Sequence, residues 1–274
     1  MSGPRATINT GQRHGEQIAR STPFEWLARA GLLARGVIYG LIGLLAFELA
    51  IGAGGSTTSQ QGALHEIAQQ PFGKVLLVLT AIGLAGYSIW RFVRAAIGHG
   101  TEDSESTLER LGGVVSGIGY AILCATAIEI LIGSGGGGGT SQTTGGILGW
   151  PGGVWIVGIA GIVTIGEGLE QGYRGFSKKF LEKSKTVEMS AAAKTWFTRI
   201  GVLGHLARMV VFVLIGYFLV KAAIDYNPDA AVSLDGALTK VASASYGPVL
   251  LGIVAAGLAA FGLYSILDSR YRKV

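Results

Sequence analysis

Residues 34–48 read ARGVIYGLIGLLAFE: an arginine, then apolar residues broken by glycines three or four apart, then a carboxylate. Weaker copies follow. Ser116-Gly117 through Glu129 repeats the pattern 81 positions on, and Ala207-Arg208 through Lys221 repeats it 173 positions on. Each copy leads through a loop to a second apolar run opened by glycine. The chain therefore divides into three copies of a two-helix hairpin, because self-similarity at a fixed period marks a repeated structural unit.

A helix needs about 20 mostly apolar residues to cross a hydrocarbon core. Six runs qualify, approximately Leu32–Gly52, Val75–Ile97, Leu111–Gly133, Val154–Tyr173, Val202–Ile224 and Val249–Asp268, the fourth being the least apolar. Charged residues make up 14% of the 274, against about 25% in soluble domains, and the mean hydropathy is +0.48. The composition predicts an all-α integral membrane protein with six transmembrane helices. A polar tail, 1–21, precedes three units at 22–100, 101–182 and 183–274. Thr22-Pro23-Phe24-Glu25 has the form of a helix start, with threonine as cap, proline in the first turn and glutamate three residues on. The first span is too long for a cleaved signal peptide and carries Glu48, so it is read as permanent.

Basic residues alternate by side. Residues 1–29, the segments 91–110 and 174–199, and the C-terminal tail hold seventeen, whereas the intervening loops hold only Lys74 and Lys240. Lysine and arginine are retained in the cytoplasm, so both termini are placed there and the chain in the cell (plasma or inner) membrane. The net charge of +5 sits beside apolar runs. It fits anionic lipid headgroups on the cytoplasmic side and gives no reason to expect nucleic acid. With two spans per unit, successive units enter the membrane in the same direction. They are parallel repeats, expected around a pseudo-threefold axis along the membrane normal.

Four motifs now resemble a known family: Ala34-Arg35-Gly36-Val37-Ile38-Tyr39, Gln70-Pro71-Phe72-Gly73, Gly83-Leu84-Ala85-Gly86-Tyr87, and the run Gly257 through Tyr264. They are similar to bacterial integral membrane proteins of unknown function in which a two-transmembrane-helix domain occurs three times. The resemblance covers roughly residues 26–274. It implies the fold and supplies no catalytic residues. The middle unit departs most, with Ser116 in place of the arginine and Glu167 where the flanking units have Tyr87 and Phe261.

Ionisable groups inside spans are costly, about 2.5–3.5 kcal/mol each at the helix centre, and so mark candidate sites. Glu48, Glu129 and Lys221 are equivalent in the three units and are expected to meet around the axis, or else to reach the outer interface. Glu167 lies deeper in span four, with Glu170 on the same face. Glu170 is expected to pair with Arg174 four residues on. Glu167 has no evident local partner, which predicts either a raised pKa and a proton site or a pairing with Arg35 or Arg208. Those two arginines are read as cytoplasmic-side anchors, snorkelling to lipid phosphates or capping a neighbouring helix. Gly36-xxx-Gly40 and Gly117-xxx-Ala121 let helices approach closely. The third copy, Met209-xxx-Val213, has lost the small residues, so its packing must differ.

Cys124 is the single cysteine, and His14, His65, His99 and His205 are scattered, so no metal site is expected. The glycine run at 133–139 lacks the lysine and preceding strand of a phosphate loop and reads as a linker. No nucleophile, paired-carboxylate or dinucleotide motif is present, so neither an enzyme nor a cofactor is expected. The leading expectation is transporter-like or channel-like handling of an ion or small solute. The alternatives are a scaffold or accessory subunit with a membrane-protein partner or a second copy, and a lipid-binding protein.

Overall fold

The computed structural model describes residues 22–97, 107–133 and 140–272. The expected tail at 1–21, most of the acidic loop near 98–110 and the glycine run after Gly133 lie outside them. Within the described residues each unit is a long helix, a short helix and a second long helix. The first unit contains α1 (Thr22–Ala50), α2 (Gln60–Gln69) and α3 (Gly73–Ile97). The second contains α4 (Thr107–Ile132), α5 (Thr140–Leu148) and α6 (Gly153–Ser177). The third contains α7 (Ala191–Ile224), α8 (Leu234–Ala242) and α9 (Gly247–Tyr271). The six long helices are each long and apolar enough to cross a membrane, and the fourth has the lowest hydropathy.

The junction before each second span is built alike. Phe72, Gly152 and Tyr246 take left-handed backbone, with φ of 62°, 80° and 61°. Glycine is the residue that adopts this conformation without strain, so Phe72 and Tyr246 are held there by their surroundings. The next residue is glycine in all three. A Cβ on Gly73, Gly153 or Gly247 would lie 2.3, 1.9 or 1.8 Å from a backbone carbonyl oxygen of the short helix. That contact turns the chain from short helix into span within a few residues.

Helix packing runs α4–α3–α1–α9–α7–α6, each neighbour lying along the next, while α4 and α6 share no extended contact among the described residues. The closest approaches are made by glycine. A Cβ on Gly43 of α1 would sit 2.4 Å from the Ala259 nitrogen, and one on Gly262 of α9 would sit 2.6 Å from the Gly40 nitrogen. Gly161 and Gly216 face one another in the same way across α6 and α7. The third unit's lost glycines are compensated by its partner helix. Met209 and Val213 of α7 pack onto Gly172 and Gly168 of α6, so bulk on one side meets a groove on the other.

The end of the bundle away from the termini is filled by aliphatic side chains. Ile42, Leu64, Leu238 and Leu258 are fully buried in one cluster, with α2 and α8 folded over it through Ala63, Leu64, Leu234, Ala237 and Leu238. At the termini end a strap, residues 178–190, folds back under the bundle. Phe180 stacks on His205 at 4.9 Å and meets Phe197 and Tyr264 edgewise or tilted. Ser184 donates from Oγ to Asp268 Oδ1 at 2.9 Å, and the Lys185 amide donates to the Tyr271 carbonyl at 2.6 Å.

Candidate functional site

Arg35 and Arg208 occupy equivalent places in the first and third units, and both point into the bundle. They are 7% and 9% exposed, which corrects the expectation that they snorkel to the interface. A guanidinium one or two turns inside the boundary could reach the headgroups from a lipid-facing position. Here the α1–α9 and α7–α9 contacts turn both inward. Arg35 Nε donates to Ser265 Oγ at 3.1 Å, and its Nη1 donates to Tyr87 Oη at 3.2 Å. Arg91 donates to the same phenol oxygen at 3.2 Å.

Arg208 is different. Three aromatic rings surround it, with its guanidinium carbon 5.4 Å from the Tyr39 centroid, 4.7 Å from Phe212 and 4.6 Å from Phe261. Its Nε is buried with no acceptor, and among the described residues no carboxylate lies within ion-pair distance of Arg208 or Arg35. Rings stabilise a cation by about 0.5–2 kcal/mol. A desolvated charge loses several kcal/mol, so the rings offset only part of that. Arg35 stands over the same Phe261 ring at 5.0 Å. The two guanidinium carbons are therefore no more than about 10 Å apart, close enough to repel in a low-dielectric interior.

The neighbouring acids are already engaged. Asp268 is fully buried, accepts from Ser184 and pairs with Arg272 at 3.0 Å. Burial works against the charge on Arg272, but the Asp268 carboxylate together with Tyr264 and Tyr87 outweighs it, and the pKa stands above the ordinary arginine value. Glu170 is bound by Arg174 one turn on. Glu167 accepts a hydrogen bond from Gln171 Nε2 at 2.7 Å. That corrects the expectation of a carboxylate with no local partner, and neither arginine pairs with it. An amide adds no charge to a helix face, so the spacing of four between Glu167 and Gln171 carries no sign of the pairing in the sequence.

Of the three outer candidates, Lys221 is exposed and pairs with Asp225, just past the end of its own helix, at 2.6 Å, and not with either glutamate. Glu48 and Glu129 are half-buried near the ends of α1 and α4. The site's other members, Tyr39, Tyr87, Phe261, Ser265 and Asp268, were not singled out as site residues from sequence. The repeats carry a usable signal for three of them. Tyr39, Tyr120 and Phe212 are equivalent in the three units, an aromatic residue one turn beyond the arginine position. Tyr87, Glu167 and Phe261 are equivalent on the second helices.

The chain matches the Domain of Unknown Function DUF1206 three times, over residues 30–98, 111–178 and 203–272. It is 34% identical over 269 residues to the uncharacterized protein YxxB of Bacillus subtilis (strain 168), covering 96% of this chain and 97% of that one. No solved structure matches the chain. Three occurrences of one domain, with near full-length similarity to that relative, make this chain a member of the DUF1206 family of multi-pass membrane proteins.

Proposed function

We propose that the chain handles an anion within the membrane, at a site formed by Arg35 and Arg208. The observation that carries this is the buried Arg208, which has aromatic neighbours and, among the described residues, no acceptor for its Nε. A protein that keeps two buried cations near one another, with the buried carboxylate beside them, Asp268, already paired to Arg272, gains from a bound anion what the fold does not provide. This narrows the ion-handling expectation to anions and sets aside the proton site at Glu167. The aliphatic packing beyond Ile42 and Leu64 favours a binding protein or carrier over an open channel.

The frame of this reading is a ring of three parallel hairpins around a pseudo-threefold axis, in the cell membrane, with the termini in the cytoplasm. Two kinds of observation support it. The contacts α3–α4, α6–α7 and α9–α1 each join the second helix of one unit to the first helix of another, and α1–α3 and α7–α9 join helices within a unit. Equivalent residues Gly36, Gly117 and Met209 all lie in the first set of contacts. The basic residues cluster on the side of the termini. No catalysis is part of this reading.

The test is saturable stabilisation by anions. Protein purified in dodecyl maltoside is titrated with sodium phosphate and sodium sulfate at constant ionic strength while its thermal unfolding is followed. A ligand at 100 times its Kd stabilises by about 2.7 kcal/mol, whereas general salt effects raise native protein and Arg208→Gln alike. Saturable stabilisation confined to the native protein supports the site. Parallel curves refute it for soluble anions.

A further inference from the structure

Resting on the anion reading above, we infer that the anion is the phosphate of a membrane phospholipid, which enters the bundle sideways between α4 and α6. The inference comes from which routes to the arginines are covered. On the side of the termini, Phe180 lies stacked on His205 and the strap is tied to α9 by the Ser184–Asp268 and Lys185–Tyr271 hydrogen bonds. On the far side the way is filled by Ile42, Leu64, Leu238 and Leu258, all fully buried. Among the described residues, both aqueous ends are covered between a soluble anion and Arg208.

The remaining route is lateral. In the sequence of packed helices, α4 and α6 are the two ends, and they are the least buried of the six spans. The seam falls inside the middle unit, the one whose residues depart from the pattern. In the first unit Arg35 reaches Tyr87 across the corresponding contact, and in the third Arg208 meets Phe261. At the seam the equivalent residues are Ser116 and Glu167, a short side chain and an acid that bonds along its own helix. The contact that closes the other two units is therefore missing here. Tyr120 of α4 extends from this side to the site, its ring 4.6 Å from Tyr87.

Charge and depth agree with the occupant. A lipid phosphodiester is a compact anion that a guanidinium binds through two parallel N–H···O bonds. Arg35 lies seven residues inside the span that begins at Ala28, about 10 Å at 1.5 Å per residue. A headgroup drawn slightly inward reaches that depth with its acyl chains still in the bilayer beside α4 and α6. A soluble phosphate would have to pass a closed end.

The experiment measures retained phospholipid. Protein is purified in phosphorus-free dodecyl maltoside from membranes containing phosphatidylglycerol, and organic phosphorus is determined per chain. We expect about one phospholipid per native chain, falling about tenfold or more in Arg208→Gln, as for deletion of one partner of a buried charge pair. Arg35→Lys and Arg208→Lys keep the charge and guard against a folding defect, and each should retain less lipid than native protein at an unchanged gel-filtration profile. Ser116→Trp leaves both arginines in place and should slow uptake of fluorescent phosphatidylglycerol. Equal phosphorus in native protein and all arginine variants would mean annular lipid only and would overturn the inference. Saturable stabilisation by inorganic phosphate without retained lipid would also overturn it, while leaving the anion reading intact. Loss of both signals removes both.

Discussion

Arg35 and Arg208 lay their guanidinium groups against one ring, that of Phe261, at 5.0 and 4.6 Å from its centroid. They reach it from the first and last of the three repeats, yet they are not bonded alike. Arg35 is held by Ser265 and Tyr87, and Arg208 by ring faces alone. One is fixed by the fold, and the other is left for a ligand.

That difference separates an arginine that only a ligand would satisfy from one that the fold also uses. Arg208→Met removes a desolvated charge and fills its place with a chain of similar reach. We expect the anion-free protein to be unchanged or stabilised, by up to about 1–4 kcal/mol as seen when buried charges give way to apolar residues. Arg35→Met removes two hydrogen bonds and leaves Ser265, fully buried, without its donor. That should destabilise by about 1–3 kcal/mol. Thermal unfolding in detergent, stripped of phosphate and lipid, measures both. A large loss on Arg208→Met would make it a structural residue.

Helix contact supplies a second expectation. Gly43→Ala forces a methyl group against the α9 backbone at Ala259, whereas a Cβ on Gly40 meets nothing within 4 Å. Gly43→Ala should cost about 1–3 kcal/mol of overpacking. Gly40→Ala should be neutral or slightly stabilising, since alanine is up to about 1 kcal/mol better than glycine in a helix. Unfolding by SDS titration distinguishes them, and equal effects would contradict the α1–α9 contact.

The parts of this fold that the sequence disclosed are those set by short range. Six spans follow from apolar length, and the Glu170–Arg174 pair from a separation of four. What stayed hidden depends on which helix faces meet. An arginine near a boundary suits lipid or interior equally, so the burial of Arg208 came only with the α7–α9 contact. Asp268 closes its span by composition and gave no sign that Ser184, 84 residues earlier, would fold back to it. The short helix α5 lies in a polar stretch whose few apolar residues, such as Leu148, form no period, whereas α8 has Leu234, Ala237, Leu238 and Val241 on one face over only nine residues, shorter than the window in which such a period is usually read.

Topology can be tested by labelling. In a Cys124→Ser background, Ser56→Cys lies in an exposed loop on one side and Glu182→Cys on the exposed part of the strap on the other. An impermeant maleimide should modify Ser56→Cys in intact cells and Glu182→Cys only after lysis. Ser184 is unsuitable, being 1% exposed, and Ser184→Cys should react slowly even in lysate. Modification of Glu182→Cys in intact cells would reverse the orientation drawn from the basic residues.

The middle repeat offers the last and most specific expectation. Ser116 stands where Arg35 and Arg208 stand, and Glu167 stands where Tyr87 and Phe261 stand. If the units are related by a threefold axis, Ser116→Arg places a guanidinium across the α4–α6 seam from a carboxylate now bonded only by Gln171. An ion pair in that setting is shielded from water and should draw the two helices together. The variant should unfold at higher temperature than native protein, and Glu167→Gln should cancel the gain. The double-mutant cycle should give a coupling of about 0.5 kcal/mol or more, as for residues in direct contact. With the seam closed by a charge pair, uptake of fluorescent phosphatidylglycerol should slow although Arg35 and Arg208 are untouched. Additive effects of Ser116→Arg and Glu167→Gln would mean that the two positions do not face each other, and the threefold relationship between the units would have to be abandoned.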